Sequence, residues 1–180
     1  NAWVNVGTLT EIDGSSLTIT MSASDKSVSD FVEDGKDTVT FSKVGVDYSS
    51  LMGQKVKVMF KDGKTNEVLG VYATDDNTIY TVNANAVEAD GTTKIKFNGT
   101  TYNVELKGAD NATTSGTDAL LTYIDGTAAN GYTTAELDAM DTSANVLTFV
   151  DTDGNNKIDS VYVKTVTVAK VTYASDSQIV

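Results

Sequence analysis

Asp151, Asp153, Asn155 and Asp159 put oxygen-bearing side chains at positions one, three, five and nine of the run Asp151-Thr-Asp-Gly-Asn-Asn-Lys-Ile-Asp159. A tight loop of that composition gathers several hard oxygens around one point, which is what a divalent cation such as Ca2+ requires. Lys157 would add its backbone carbonyl, and water the remaining ligands. An EF-hand loop needs a bidentate Glu at its twelfth position, where this chain has Tyr162. The shorter form that closes with an Asp at position nine fits instead. Asn156 stands where glycine usually supplies a left-handed conformation, a role Asn tolerates. Asn155 in place of a carboxylate lowers the ligand charge and predicts weak affinity, on the order of 10⁻⁴–10⁻³ M as in extracellular modules. The competing reading is an ordinary turn rich in Asp, Asn and Gly. In that case three Asp side chains would repel one another with no counter-ion. The expected metal role is structural, the clamping of a hairpin, because no neighbouring residue could use the ion for chemistry.

The absences narrow the chemistry further. The 180 residues contain no His, Cys or Pro, and all 13 basic residues are Lys. No thiolate or imidazole site for zinc, copper or iron is possible. Nor is a nucleophile activated by His. Paired carboxylates for glycoside hydrolysis have no distinctive local candidate, so the expectation is a non-enzymatic protein. A net charge of -12 disfavours nucleic acid, and no apolar run is long enough for membrane insertion. The chain opens on Asn1 with no visible signal peptide, as in a mature product or an excised segment of a longer protein.

Other clusters have weaker chemistry. Asp75-Asp76 suits a solvated turn, and Asp25, Asp30, Glu33, Asp34 and Asp37 suit a charged loop better than a second cation site. Trp3, Tyr48, Tyr80, Tyr102 and Tyr132 could stack on sugars, although aromatics at strand spacing are usually core. Asn98 and Asn111 fit the glycosylation acceptor pattern.

The elements that must position these residues are strands. Alternating runs rich in Val, Thr, Tyr and Phe predict strands over Trp3–Thr10, Leu17–Met21, Thr38–Phe41, Lys55–Phe60, Glu67–Ala73 and Thr78–Val82. The same pattern continues over Lys94–Phe97, Thr101–Leu106, Leu120–Ile124, Val146–Val150 and Asp159–Tyr173. Asp-Gly and Asn-Gly pairs between them, such as 98–99 and 125–126, permit the positive φ angles of tight hairpins. Helix is confined to short turns. Ser27–Val32 and Tyr48–Leu51 are candidates, with Gly53 stopping the second. Thr133 begins a third, with Glu136 completing a capping box. The fold class expected is all-β: two small β-barrel or β-sandwich modules with short helical turns. Residues 1–75 suit a barrel-like module of the Greek-key kind. Residues 76–165 suit a sandwich or barrel carrying the calcium hairpin. Residues 166–180 are a terminal strand or the start of a following module.

The last expectation rests on an internal similarity. Val4-Asn-Val-Gly-Thr-Leu-Thr10 resembles Val166-Thr-Val-Ala-Lys-Val-Thr172, and the register carries on so that Leu17 meets Ile179. In both copies the alternation slips at a small residue, Gly7 or Ala169, as at a bulge. Chance similarity between β-rich segments is the alternative.

Three runs carry a family resemblance. They are Tyr123-Ile-Asp-Gly-Thr-Ala-Ala129, then Leu137-Asp-Ala-Met140, then Val146 to Val163 across the Asp151–Asp159 loop. Together they resemble a recurrent module in surface-layer proteins of Gram-positive bacteria, found beside wall-anchoring repeats. Leu51-Met-Gly-Gln-Lys-Val-Lys-Val-Met-Phe-Lys-Asp-Gly63 resembles the barrel-like piece preceding that module. The acidic, sulfur-poor, Lys- and Thr-rich composition is similar to that of such proteins, whereas the wall-anchoring repeats are missing from these residues. The resemblance implies an extracellular, cell-surface structural protein that self-associates into a lattice or fibre, with calcium rigidifying it. An adhesin or carbohydrate-binding module with structural calcium, its partner a cell-wall polysaccharide, is the alternative.

Overall fold

The computed structural model describes residues 2–13, 16–20, 38–41, 45–61, 64–107, 119–141, 143–168, 174–175 and 178–179. The expected acidic cluster from Asp25 to Asp37, the helical turn at 27–32 and Asn111 lie outside the described residues. What is described is all-β and sandwich-like. Strands β1 (Ala2–Asp13), β2 (Ser16–Thr20), β3 (Thr38–Phe41), β4 (Lys55–Lys61) and β5 (Lys64–Ala73) form an antiparallel sheet in the order β3-β2-β1-β4-β5. The slip expected at Gly7 is a bulge, since the β1–β4 register shifts between Asn5 and Gly7. The barrel expected in this part does not close. Among the described residues β3 and β5 approach each other but form no ladder, and both are edges. Closure needs an unbroken ladder from last strand to first, and no pairing joins β3 to β5 among the described residues.

Two larger sheets and a terminal hairpin make up the other described strands. In chain order the strands are β6 (Thr78–Asn83), β7 (Glu88–Ala89), β8 (Lys94–Phe97), β9 (Thr100–Val104), β10 (Leu106–Lys107), β11 (Ala119–Ile124), β12 (Thr127–Tyr132), β13 (Val146–Asp151), β14 (Lys157–Ile158) and β15 (Ser160–Lys164). A middle sheet runs β10-β11-β15-β13-β6, with β12 also on β11, and a smaller one runs β14-β9-β8-β7. Past these, β16 (Ala174–Ser175) and β17 (Gln178–Ile179) pair as a hairpin.

Alternation along β11 and β15 sends side chains of the middle sheet into two cores. Tyr123 and Tyr162, opposite each other in parallel register, join Leu9, Ile19, Phe41, Met52, Val56 and Val58 of the five-stranded sheet and its connections. Leu120, Val161 and Val163 face the other way, onto Ile95, Phe97, Val104 and Ile158 of the small sheet. A sheet buried on both faces reads as nearly continuous apolar sequence, and β15 is Ser-Val-Tyr-Val before its terminal Lys164.

Local signals explain the connections. Asn98-Gly99 (φ 51° and 76°) and Asp125-Gly126 (φ 48° and 102°) make two-residue hairpin turns, as their residue types predict. Thr133 caps helix α1 (Thr134–Asp138), and its capping box with Glu136 is formed. A single 3-10 turn, Ser49–Leu51, ends ahead of Gly53 at φ 80°. A Cβ there would lie 2.6 Å from Ser160 Oγ and 3.1 Å from the Tyr123 ring, so the backbone meets the middle sheet where only glycine fits. Strand β12, Thr-Ala-Ala-Asn-Gly-Tyr, was not expected. Its residues have little strand preference, and the turn before it lays them against β11.

The Tyr123 hydroxyl is buried without a hydrogen-bond partner among the described residues. Burial pushes its pKa up to about 12 from 10.0. Between those values the unfolded chain releases a proton that the folded protein keeps, so stability falls as pH rises above 10. Tyr123→Phe is expected to fold as stably as the parent at pH 7, or more so by up to about 1 kcal/mol. Its urea midpoint should fall less steeply than the parent's between pH 10 and 12. Parallel pH profiles would contradict this account.

Candidate metal centre

Strand β13 ends at Asp151 inside the middle sheet, and the chain re-enters structure as β14, which pairs in parallel with β9 of the small sheet. One residue later β15 is back in the middle sheet, beside β11 and β13. Asp159 is the single residue between β14 and β15, so the loop sits where the chain crosses between sheets. Backbone bonds hold the crossing on both sides: Glu105 N donates to Ile158 O (2.8 Å) and Asp159 N to Val150 O (2.8 Å).

The loop is organised by its own carboxylates. Asp151, 4% exposed, accepts at Oδ1 from the amides of Asp153 (3.1 Å) and Gly154 (2.9 Å). Its Oδ2 accepts from Asn156 N at 3.0 Å. Asp159 Oδ2 accepts from the Thr152 amide (2.7 Å) and hydroxyl (2.8 Å). Asp153, on the exposed side, accepts from the Asn155 amide (3.1 Å) and side-chain Nδ2 (3.0 Å). Gly154 and Asn156 have φ of 70° and 63°, so Asn156 takes the left-handed conformation expected of it.

Three of the five expected ligands are thereby brought together: one oxygen each of Asp151, Asp153 and Asp159 lies within 4.8 Å of the others. Calcium–oxygen bonds of about 2.3–2.6 Å set opposite ligands roughly 5 Å apart, so these oxygens fit one coordination sphere. Hard carboxylate oxygens suit Ca2+ or Mg2+. Asn155 is less available, because its Oδ1 accepts from Lys157 N at 2.8 Å, although a carbonyl oxygen keeps a second lone pair. Lys157 lies in β14 opposite Asn103. Among the described residues no lysine ammonium lies within ion-pair distance of the three carboxylates, and the bonds they accept come from amides and hydroxyls.

Beside the loop, residues from four strands and the loop itself line an open cleft of about 230 Å³, among them Tyr80, Tyr102, Asn103, Asp151, Asn156 and Lys157. The Tyr80 and Tyr102 rings lie 4.8 Å apart, and Tyr102 stacks on Phe97 at 4.4 Å. Burial first, then the neighbouring Tyr102 and Asp151, raise the Tyr80 hydroxyl above its ordinary pKa. Of the aromatics noted in the sequence, only these two share the site. Tyr48 packs against the first core and Tyr132 against the second, and the Trp3 side chain is outside the described set. The spacing of acidic residues gives no sign of Thr152, whose two donors orient Asp159. Nor does local sequence pair Tyr80 with the loop, since that follows from β6 lying opposite β13, Tyr80 against Phe149.

Comparison of the chain with known protein families, curated proteins and solved structures gives no significant match. Asp151→Ala strips three loop amides of their acceptor and, in chelator, should lower unfolding free energy by about 2–4 kcal/mol. Asp153→Ala, on the exposed side of the loop, should cost no more than about 1 kcal/mol. Equal losses in urea titrations would contradict this division of roles.

Proposed function

We propose that the protein is a non-enzymatic, extracellular module of a bacterial surface layer, self-assembling into a lattice or fibre and stiffened by Ca2+. The observation that carries this reading is the convergence of Asp151, Asp153 and Asp159 at the crossing between two sheets. A cation bound there would tie Asp151, at the end of β13 in the middle sheet, to Asp159, which directly follows β14 of the small sheet, a mechanical role. The acidic, Lys-only composition without Cys or His supports it, as does the family resemblance of the segments around residues 51–63 and 123–163. For assembly, β5 and β6 are edge strands among the described residues and carry the exposed apolar side chains Leu69 and Ile79. Such edges can pair with a neighbouring molecule.

With a dissociation constant near 10⁻⁴–10⁻³ M, 10 mM CaCl2 should stabilise the fold by about 1.4–2.7 kcal/mol. That corresponds to a melting shift of roughly 3–10 °C for a chain of this size. The double variant Asp153→Ala, Asp159→Ala should show no shift. Light scattering should rise with protein concentration when calcium is added. Identical melting in calcium and chelator removes the metal from the proposal, and scattering that stays monomeric throughout removes assembly.

A second reading, an adhesin or carbohydrate-binding module, is favoured by the Tyr80–Tyr102 cleft next to the loop. Quenching of tyrosine fluorescence by cell-wall oligosaccharides, lost in Tyr102→Ala, would select it over assembly.

A further inference from the structure

The hairpin β16–β17 repeats the register of the hairpin β1–β2. Ile12 pairs with Leu17 and Asp13 with Ser16 in the first hairpin. In the second, Ala174 pairs with Ile179 and Ser175 with Gln178. Every one of these positions is related by the same offset of 162 residues, which also carries Val4-Asn-Val-Gly-Thr-Leu-Thr10 onto Val166-Thr-Val-Ala-Lys-Val-Thr172. The sequence similarity and the pairing are separate observations. A hairpin shifted by one residue would keep the similarity and lose the register.

The segment between the two copies behaves as an exit from one unit. Thr165 N donates to Asp125 Oδ1 at 3.0 Å, its hydroxyl bonds Asp125 Oδ2, and Val166 N donates to Asn145 Oδ1 at 3.1 Å. Beyond this anchor Val166 and Val168 are 41% and 78% exposed, although they alternate as strand residues do. In the first copy the corresponding Val4 lies opposite Val58 of β4, which pairs with the first half of β1 while β2 pairs with the second. Among the described residues no strand pairs with 166–168. A segment built to the pattern of β1 therefore lacks the counterpart of β4.

We infer that residues 166–180 belong to the opening hairpin of a second copy of this module, so that the protein is built as a tandem with a period of 162 residues. The partner that covers Val166 and Val168 is the β4 strand of that second copy. The tandem stands independently of the proposed lattice, since modules in series need not assemble further.

The test is a longer chain in which residues 19–165 are repeated after Val180, so that 166–180 serve as the only first hairpin of the second unit. Hydrogen exchange is followed in peptides covering 166–179, in this chain and in the 180-residue one. Protection of those peptides should rise at least about 100-fold on extension, towards that of 4–17 in the same chain. Val168→Asp should reverse the gain in the longer chain and leave the melting of the shorter chain unchanged. Equal exchange of 166–179 in the two chains overturns the inference. So does an appended segment that stays unfolded while a control carrying two complete copies of 1–165 folds.

Discussion

The alternation of side chains along β11 and β15 is the constraint on which the rest of the structure depends. These two parallel strands feed both cores at once: Tyr123 and Tyr162 to the five-stranded sheet, and Leu120, Val161 and Val163 to the small one. With a side-chain period of two, a one-residue slip would exchange the contents of the two cores. The aromatic rings would then crowd the face that Phe97 and Phe149 already fill with stacked rings 5.2 Å apart. Volume errors in close-packed cores are costly in either direction. The close approach of Gly53 to Ser160 and the Tyr123 ring adds a backbone contact to the same requirement.

Against that apolar frame, the Asp151–Asp159 loop is held almost entirely by polar bonds. Asp151 and Asp159 turn their carboxylates inward onto backbone amides, which satisfies donors that a tight crossing would otherwise leave unpaired. The same arrangement concentrates negative charge at the junction of two sheets. Stability of the crossing and attraction for a cation thus come from one set of atoms, which is the physical basis for reading the site as a clamp. The Tyr80–Tyr102 cleft adjoins it because β6 and β9 lie on either side of the crossing.

Much of this was legible in local sequence, and unevenly so. The strands at Thr38–Phe41 and Lys94–Phe97 coincide with expectation. So do the Asn98-Gly99 and Asp125-Gly126 turns and the capping box at Thr133, because each is a property of a few adjacent residues. The spacing of Asp151, Asp153 and Asp159 is equally local, and it was enough to predict their convergence. Strand β12 was illegible: Ala128, Ala129, Asn130 and Gly131 have no preference for a strand until a neighbour supplies the ladder. The barrel expected in the first part failed for a related reason, since closure depends on whether β3 can reach β5 along a full edge.

By itself, then, the sequence determined the class of structure and the chemistry open to it. Period-two patterning and turn residues dictate an all-β protein, and a chain without Cys or His leaves oxygen as the ligand for any metal. Only the tertiary structure decided that the loop marks a passage between sheets, that Tyr80 and Tyr102 stand beside it, and that β11 and β15 serve two cores. Those facts depend on which strands become neighbours. Neighbour choice is set by burying apolar faces between segments far apart in the chain, which no short stretch of residues encodes.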